Sequence, residues 1–372
     1  MSSPTRKDVE ATVSPPHSAN KPSLLHPRTA GDPTLVERTD GEYVHVEARH
    51  DVLDATGAST VALGDAAVTS AVVEQMNRPR FTHGTSHTSD VAERLARLLV
   101  EDPSVDLAKA YFVDSGSEAM ESAMKLAVSY HIANGQPDRV HFVSRKQAHH
   151  GNTIGAMNIS TKLGGRAPYG TAFNGLRVSH VSAAYPYRGL LPGESEEQYA
   201  ERLLEELEAE FRCLGTDKVA AFVAETIGGS TAGCLIPPPP YLERVRRLCT
   251  RYGVLLILDE IMCGSGRTGT FFAFQAEGNV QPDIVTLGKG LAGGYLPLAA
   301  VLLRRHVHET IERGAGGLGR PTSQAGDVSC AAALAVQRIV KGKGLLPSCA
   351  QLGEELGDMM RGALQGLKFV GD

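Results

Sequence analysis

The stretch VLLILDE, residues 254–260, decides the fold class of this chain. Its first five residues are all apolar, which is typical of a strand buried on both faces of a parallel sheet. Asp259 and Glu260 follow at the carboxyl end of that strand, where open α/β sheets bind their ligands. Asp259 is therefore a candidate functional residue. The alternative is that its carboxylate only caps the next turn.

Similar strand patterns alternate with helical patterns from about residue 90 onward. The strand patterns are AYFVDSG (110–116), RVHFVS (139–144), KVAAFVAE (218–225) and DIVTLGKG (283–290). The helical patterns are SEAMESAMKLAVSYH (117–131), the charged segment 194–215 that Gly215 ends, and YLERVRRLCTRYG (241–253). This alternation predicts an α/β fold with a mostly parallel sheet and helices on both of its faces.

Composition excludes several classes of protein. The chain has 372 residues, 42% hydrophobic and 21% charged, which is enough to bury a large core and form two domains. Its net charge is -5 and its Lys and Arg residues are scattered, so we expect no nucleic-acid partner. No apolar run approaches the roughly 20 residues of a membrane span, so we expect no membrane partner. Six cysteines without a CxxC pair indicate free thiols and predict a cytoplasmic location.

Lys289 is the second candidate residue. It follows an apolar strand pattern and lies between Gly288 and Gly290 in a nearly uncharged stretch. Small neighbours allow a planar cofactor to approach, and a desolvated amine has a lowered pKa that favours Schiff-base chemistry, although a plain loop lysine is the alternative. Asp259 lies thirty residues earlier. A carboxylate for the pyridine nitrogen and an amine for the aldehyde together predict pyridoxal phosphate (PLP) as cofactor.

The third candidate is the turn Ser115, Gly116 and Ser117 between a strand pattern and a helical pattern. We expect a helix to start near Ser117, with Glu118 in its first turn. Such a helix start offers free N–H groups and a positive dipole end to a phosphate. The alternative is that Ser117 simply caps its own helix.

Two rival kinds of site were weighed. GSGRTG (264–269) formally satisfies the dinucleotide-binding pattern GxGxxG, but the residues after it do not read as a helix, which disfavours a nicotinamide dehydrogenase. His83 and His87 are four residues apart and, with His149 and His150, offer imidazoles to a metal, yet no HExxH motif or carboxylate partner accompanies them. We therefore predict no metal site.

At this point the residues resemble the class III PLP-dependent aminotransferases. The likeness extends over roughly residues 40–372, in order and with family-like spacing. The segments that carry it are SGSEAMESAMKLA (115–127), AHHGNT (148–153), LLILDEIMCGSGRTG (255–269), TLGKGLAGGYLPLAAVL (286–302) and TSQAGDVSCAAALA (322–335).

The resemblance implies fold type I: a large domain with a seven-stranded sheet, and a smaller α+β domain built from both chain ends.

The expected domain boundaries are as follows. Residues 1–35 would be a flexible arm, 36–75 the N-terminal part of the small domain, 76–328 the PLP-binding large domain and 329–372 the start of the C-terminal small domain. Family members continue for some tens of residues beyond this end, so we expect the small domain to be incomplete and the chain to be a fragment or truncated product. Here a helix would be followed by a strand opening at Lys368.

The resemblance also assigns residues to the cofactor. Lys289 would form the Schiff base and Asp259 would keep the pyridine nitrogen protonated. Ile261 would pack on one ring face, and His149 would stack on the other, where the family usually has Tyr or Phe.

Further contacts follow from the same match. The residues expected at the phosphate are Ser115, Gly116, Ser117 and, from the partner subunit of a homodimer with shared active sites, Thr322. Glu225 matches a family carboxylate near the substrate pocket, with no assigned role.

This chain also departs from the family pattern. Met262 replaces a Gln that bonds the cofactor's phenolic oxygen in many members. Ser230 replaces a gating Glu of relatives that act on glutamate, and Gly326 and Asp327 replace the usual His and Pro. These changes leave the amino acceptor unassigned.

The expected reaction is transfer of an amino group between an amine or amino acid and a keto acid or aldehyde. The alternatives are a catalytically impaired PLP-binding homologue, and a PLP aminomutase or decarboxylase on the same fold.

Overall fold

The computed structural model describes residues 36–41, 43–46, 52–54, 57, 64–83, 86–162, 169, 175–229, 231–278, 280–314, 326–368 and 370. The predictions for the arm at 1–35, for Ser230 and for Thr322 lie outside these residues.

Two sheets are present in the described chain. The smaller is an antiparallel sheet of β1 (Val36–Asp40), β2 (Tyr43–Val46) and β3 (Val52–Leu53). The larger has seven strands: β4 (Leu107–Val113), β5 (His141–Arg145), β6 (Val178–Val181), β7 (Val219–Glu225), β8 (Leu255–Asp259), β9 (Ile284–Leu287) and β10 (Ala299–Arg304). Their order is β4-β10-β9-β8-β7-β5-β6. Only β10 runs against its neighbours among these strands, which confirms the mostly parallel α/β prediction.

The central strands are buried because helices cover both faces of the large sheet. Every residue of β7 and β8 is buried. Successive residues of β8 belong to different apolar clusters: Leu256 and Leu258 face one cluster, and Leu255 and Ile257 face the other. This is the arrangement that the uninterrupted apolar run at 254–258 predicts.

The described helices are α1 (Ala66–Met76), α2 (Asp90–Val100), α3 (Gly116–Ala133), α4 (Ile154–Ile159), α5 (Pro186–Gly189), α6 (Glu196–Leu214), α7 (Tyr241–Tyr252), α8 (Arg305–Arg313), α9 (Asp327–Gly342) and α10 (Leu345–Leu364). Helices α2, α6 and α7 contribute to the first cluster, whereas α3, α4 and α8 contribute to the second. Helix α6 begins with a capping box between Ser195 and Gln198 and ends at Gly215, as predicted.

The end of the described chain differs from its prediction. Helix α10 is present, but no residue of it is buried, and Leu352, Leu356 and Met359 are largely exposed. Lys368 lies in a turn and Val370 has no assigned secondary structure, so the strand predicted from Lys368 is wrong at these residues. A strand needs a partner for its N–H and C=O groups, and no described strand pairs with this segment.

The structure also describes the state of the cysteines and the character of the helices. All six cysteines are free, as predicted, and Cys249, Cys263 and Cys330 are buried. Among the described residues, no helix combines the length and the apolar character that crossing a membrane requires.

Candidate active site

A cavity of about 330 Å³ opens at the carboxyl ends of the parallel strands. It lies where α/β sheets place their ligands, and its volume falls in the range of small-molecule sites. The predicted site residues that line it are Ser115, Gly116, Ser117, His149, Glu225, Asp259, Ile261 and Lys289. Sequence reasoning therefore brought together residues that the fold does place around one cavity.

Asp259 ends β8 and is buried, and its two carboxylate oxygens have different partners. Oδ1 accepts the N–H of Ile261 at 3.0 Å, so the residue does cap the turn after the strand. Oδ2 lies 2.8 Å from Nδ1 of His150, whose side chain is fully buried. With Nδ1 protonated, the imidazole donates to the carboxylate and fixes its orientation.

His149, beside His150, faces the same cavity from the segment after β5. Its backbone N–H donates to Oε2 of Glu225 at 3.1 Å. Burial, with the charge of nearby Lys162 second, lowers the pKa of His149 below its usual value of 6.5, so the ring is neutral at neutral pH.

Lys289 begins a short 3-10 turn after β9 and has a φ of 36°. This left-handed conformation is uncommon for a residue with a side chain and is maintained only when the surroundings enforce it. The amide of Gln337, a buried residue of α9, donates to the carbonyls of Gly290 and Leu291 at 3.0 and 2.7 Å. The turn that presents Lys289 is thus fixed from the opposite side.

The start of α3 lies one residue before the start predicted near Ser117. The helix begins at Gly116, and its N-cap is Ser115, whose Oγ accepts the N–H of Glu118 at 3.3 Å. The alternative in which Ser117 is the cap is therefore wrong, because its Oγ instead donates to Oδ1 of Asn152 at 2.9 Å and accepts the N–H of Asn152 at 3.0 Å. The N–H groups of Gly116 and Ser117 have no acceptor within the helix.

Small residues shape two walls of the cavity. A Cβ on Gly116 would lie 2.9 Å from Cγ2 of Ile261, and one on Gly288 would lie 3.1 Å from the same atom. A Cβ on Gly229 would lie 2.7 Å from Sδ of Met262. Glycine therefore permits Ile261 and Met262 to occupy these positions.

Two residues that line the cavity, and one that supports the turn of Lys289, were missed as site residues. His150 was considered only as a metal ligand, although the doubled histidine in AHHGNT marked its position. Asn152 belongs to the same motif. Gln337 gave no signal beyond being a polar residue in the apolar pattern of α9.

The rival sites find no support in the described residues. No group of three or more His, Cys, Asp or Glu side chains there is arranged to bind a metal ion. GSGRTG leads into a three-residue 3-10 helix and not an α-helix. A Cβ on Gly266 would meet Leu346 at 2.8 Å, and one on Gly269 would meet Ala350 at 2.7 Å, so this loop packs against α10.

Comparison with known proteins was made on both sequence and structure. The model of the family "Aminotransferase class-III" matches residues 27–372. An uncharacterized aminotransferase of Schizosaccharomyces pombe is 37% identical, with 98% of this chain and 80% of that protein covered. A probable gamma-aminobutyrate transaminase of Oryza sativa subsp. japonica is 31% identical, with 96% and 76% covered.

Solved structures of transaminases are also similar to this chain. The omega transaminase from Pseudomonas jessenii, in complex with PMP, superposes with a TM-score of 0.87 at 32% identity, over 92% of this chain and 78% of that one. An amine transaminase from an uncultivated Pseudomonas species, in its PLP-bound form, superposes with a TM-score of 0.86 at 27% identity, over 93% and 80%.

Proposed function

We propose residue roles for this enzyme from one premise, that the chain belongs to the class-III aminotransferase family. Its cofactor is PLP and its reaction is the transfer of an amino group. The observation that carries the assignment is the meeting of Asp259, Lys289 and the start of α3 in one cavity.

The residues present fit the cofactor by their chemistry. Gly116 and Ser117 offer N–H groups at the positive end of an 18-residue helix, which suits a phosphate, and Ser115 adds a hydroxyl. Asp259 offers a buried carboxylate whose orientation His150 fixes, which suits a protonated pyridine nitrogen. We assign these residues to the two ends of PLP.

The remaining walls suit the two faces of a flat ring. Ile261 offers an apolar surface on one side, and His149 offers a neutral aromatic ring on the other. Met262 and Glu225 also line the cavity.

When bound, PLP supplies an electron sink for the electrons left on a substrate carbon that loses its proton. We assign the proton transfer itself to Lys289, whose Nζ would take the proton from the substrate carbon and deliver it to the aldehyde carbon of the cofactor. The carboxylate of Asp259 beside the pyridine nitrogen would stabilise the protonated ring. The enforced turn at Lys289 positions the amine for this work.

The assembly and location are also proposals. We expect a homodimer with shared active sites, in which Thr322 reaches the phosphate site of the partner. Sedimentation should then give twice the chain mass of 39.5 kDa. Six free cysteines support a reducing compartment such as the cytoplasm.

The substrates are proposed by class: a primary amine or amino acid as donor, and a keto acid or aldehyde as acceptor. The test is to add single donors, gamma-aminobutyrate among them, to PLP-loaded protein without an acceptor and to analyse the products. We expect the visible band to disappear and one equivalent of ketone or aldehyde to form. K289A, which lacks the proton-transferring amine, should form none.

The same experiment separates the alternatives. Release of carbon dioxide would indicate a decarboxylase, and a rearranged amine would indicate an aminomutase. PLP binding without any product from a broad donor panel would indicate an impaired homologue.

A further inference from the structure

Glu225 is a buried carboxylate that lines the cavity, and its role follows from its contacts. It ends β7, and its Cα pairs in register with that of Asp259 on the neighbouring parallel strand. The two carboxylates therefore leave the sheet side by side at the same edge.

The two oxygens of Glu225 bind two different walls of the cavity. Oε2 accepts the backbone N–H of His149 at 3.1 Å, and Oε1 accepts the backbone N–H of Gly229 at 2.9 Å. Gly229 in turn lies against Met262, because a Cβ there would meet Sδ at 2.7 Å. One carboxylate thus connects the side of the cavity that His149 forms with the side that Gly229 and Met262 form.

The main chain of Glu225 is also held in place. The buried guanidinium of Arg145, at the end of β5, donates to the backbone carbonyl of Glu225. Cζ of Arg145 also lies 5.9 Å from the ring centre of Tyr241, which is a cation–π distance. The main chain of Glu225 is therefore anchored, and its side chain can set the position of whatever it binds.

We propose that Glu225 is a positioning residue, a carboxylate clamp that sets the distance between His149 and the Gly229–Met262 wall and so the fit of the cofactor ring. This rests on the proposed function, in which His149 stacks on PLP. Glu225 itself does not transfer a proton in this account. It acts through the two backbone N–H groups that it accepts.

Burial raises the pKa of Glu225 and the charge of Asp259 adds to this rise, whereas the backbone N–H groups of His149 and Gly229 oppose it because they favour the ionised form. An ionised carboxylate accepts two N–H bonds without itself needing an acceptor, which suits the clamp. The amide of a glutamine can accept only one of them, since its nitrogen would face an N–H donor. E225Q therefore keeps the shape of the side chain and removes half of the clamp.

The first test measures the clamp in the apo protein by hydrogen exchange. We expect E225Q to accelerate exchange of at least one of the two backbone amides, that of His149 or that of Gly229, by about tenfold or more. Glu206 provides a matched control, because its Oε1 accepts the backbone N–H of Ser182 just beyond β6. E206Q retains one oxygen that can accept this bond, and it should leave exchange at both cavity amides unchanged.

The second test is a double-mutant cycle on the dissociation constant of PLP, followed by visible absorbance. E225Q should weaken binding about tenfold in the wild-type background and only about threefold in H149A, because H149A retains the backbone N–H but lacks the ring that the clamp positions. E206Q should leave the dissociation constant unchanged.

Unchanged exchange at both cavity amides, or an equal effect of E225Q in both backgrounds, would overturn the proposal. If E225Q does not fold, E225D, which is one methylene shorter, is measured in the same way with the same criteria. A wild-type protein that binds no PLP would contradict the proposed function instead, while the exchange experiment on the apo protein would still test the clamp.

Discussion

The bond between Nδ1 of His150 and Oδ2 of Asp259 is the clearest single interaction in the site. At 2.8 Å between two buried side chains, it orients a carboxylate that we place at the pyridine nitrogen. Hydrogen bonds to charged groups contribute about 1.5–3 kcal/mol. H150F retains an aromatic ring of similar size and removes the donor. We expect it to lower kcat at least about tenfold, as measured in the amine-donor assay.

His131 provides the control for this variant. It is fully buried, and its Nε2 lies 2.8 Å from the carbonyl oxygen of Ala220. It lies outside the cavity. H131F should lower the melting temperature and leave kcat near the wild-type value. Equal losses of kcat in both variants would show that His150 is only structural.

The lowered pKa of His149 predicts a pH dependence of stability. The unfolded chain protonates this imidazole as the pH falls through about 6.5, whereas the folded chain resists protonation because burial disfavours the charged ring. The stability that the neutral ring contributes is present above the unfolded pKa and is lost as the pH falls below it. In H149F this loss is absent.

Thermal unfolding of wild type and H149F at about pH 7.5 and about pH 5.5 checks this sign. His131 and His141, whose pKa values burial also lowers, are present in both proteins and cancel in the comparison. We expect the wild type to lose more of its melting temperature on acidification. Parallel losses would contradict the account.

At the scale of residues, sequence could find those with strong local signals. Asp259 ends an apolar strand and Lys289 lies between two glycines, and the two residues together predicted the cofactor. The partner of Asp259 could not be found in the same way, because His150 is 109 positions away and only the fold brings them together. The clamp at Glu225 could not be predicted from the sequence either, because only the fold brings His149 close to Glu225.

At the scale of elements, the start of α3 determines how the phosphate end of the cofactor fits. Gly116 has no room for a Cβ, which would lie 2.9 Å from Ile261. G116A must therefore displace the side chain that we place on the ring. We expect about tenfold weaker PLP binding in an absorbance titration, a cost typical of small-to-large substitution.

Gly362 is the matched control in a helix. It lies in α10, and a Cβ there would meet nothing within 4 Å. G362A should stabilise the protein by up to about 1 kcal/mol, since alanine is the better helix former, and should not alter PLP binding. Unchanged binding in G116A would refute the close fit at Ile261.

Elements were predictable where burial imposes a pattern. The apolar runs of β7 and β8 predicted strands correctly, because both faces of these strands are buried. The spacing of apolar residues in α6 predicted a helix correctly, because one stripe of that helix is buried. The cap of α3 was placed two residues late, since Ser115 and Ser117 are equally good caps by type. Only the bond between Ser117 and Asn152, 35 positions apart, separates them.

At the scale of the whole molecule, the two apolar clusters on either side of the sheet explain why the cavity is well defined. They support β7, β8 and β9 from both faces, so the strand ends that present Glu225 and Asp259 are fixed relative to each other. The mostly parallel sheet could be read from alternation alone. The predicted boundary at residues 328 and 329, and the role of Thr322 in a partner subunit, stay predictions.

The central claim is that Lys289 binds PLP covalently beside Asp259. The most direct measurement is borohydride reduction of the PLP-loaded protein, followed by proteolysis and mass spectrometry of the labelled peptide, with K289A treated in parallel. The account predicts one pyridoxyl group per chain, located on Lys289, and no stable label in K289A. Label on another lysine, or equal labelling of the variant, would contradict it.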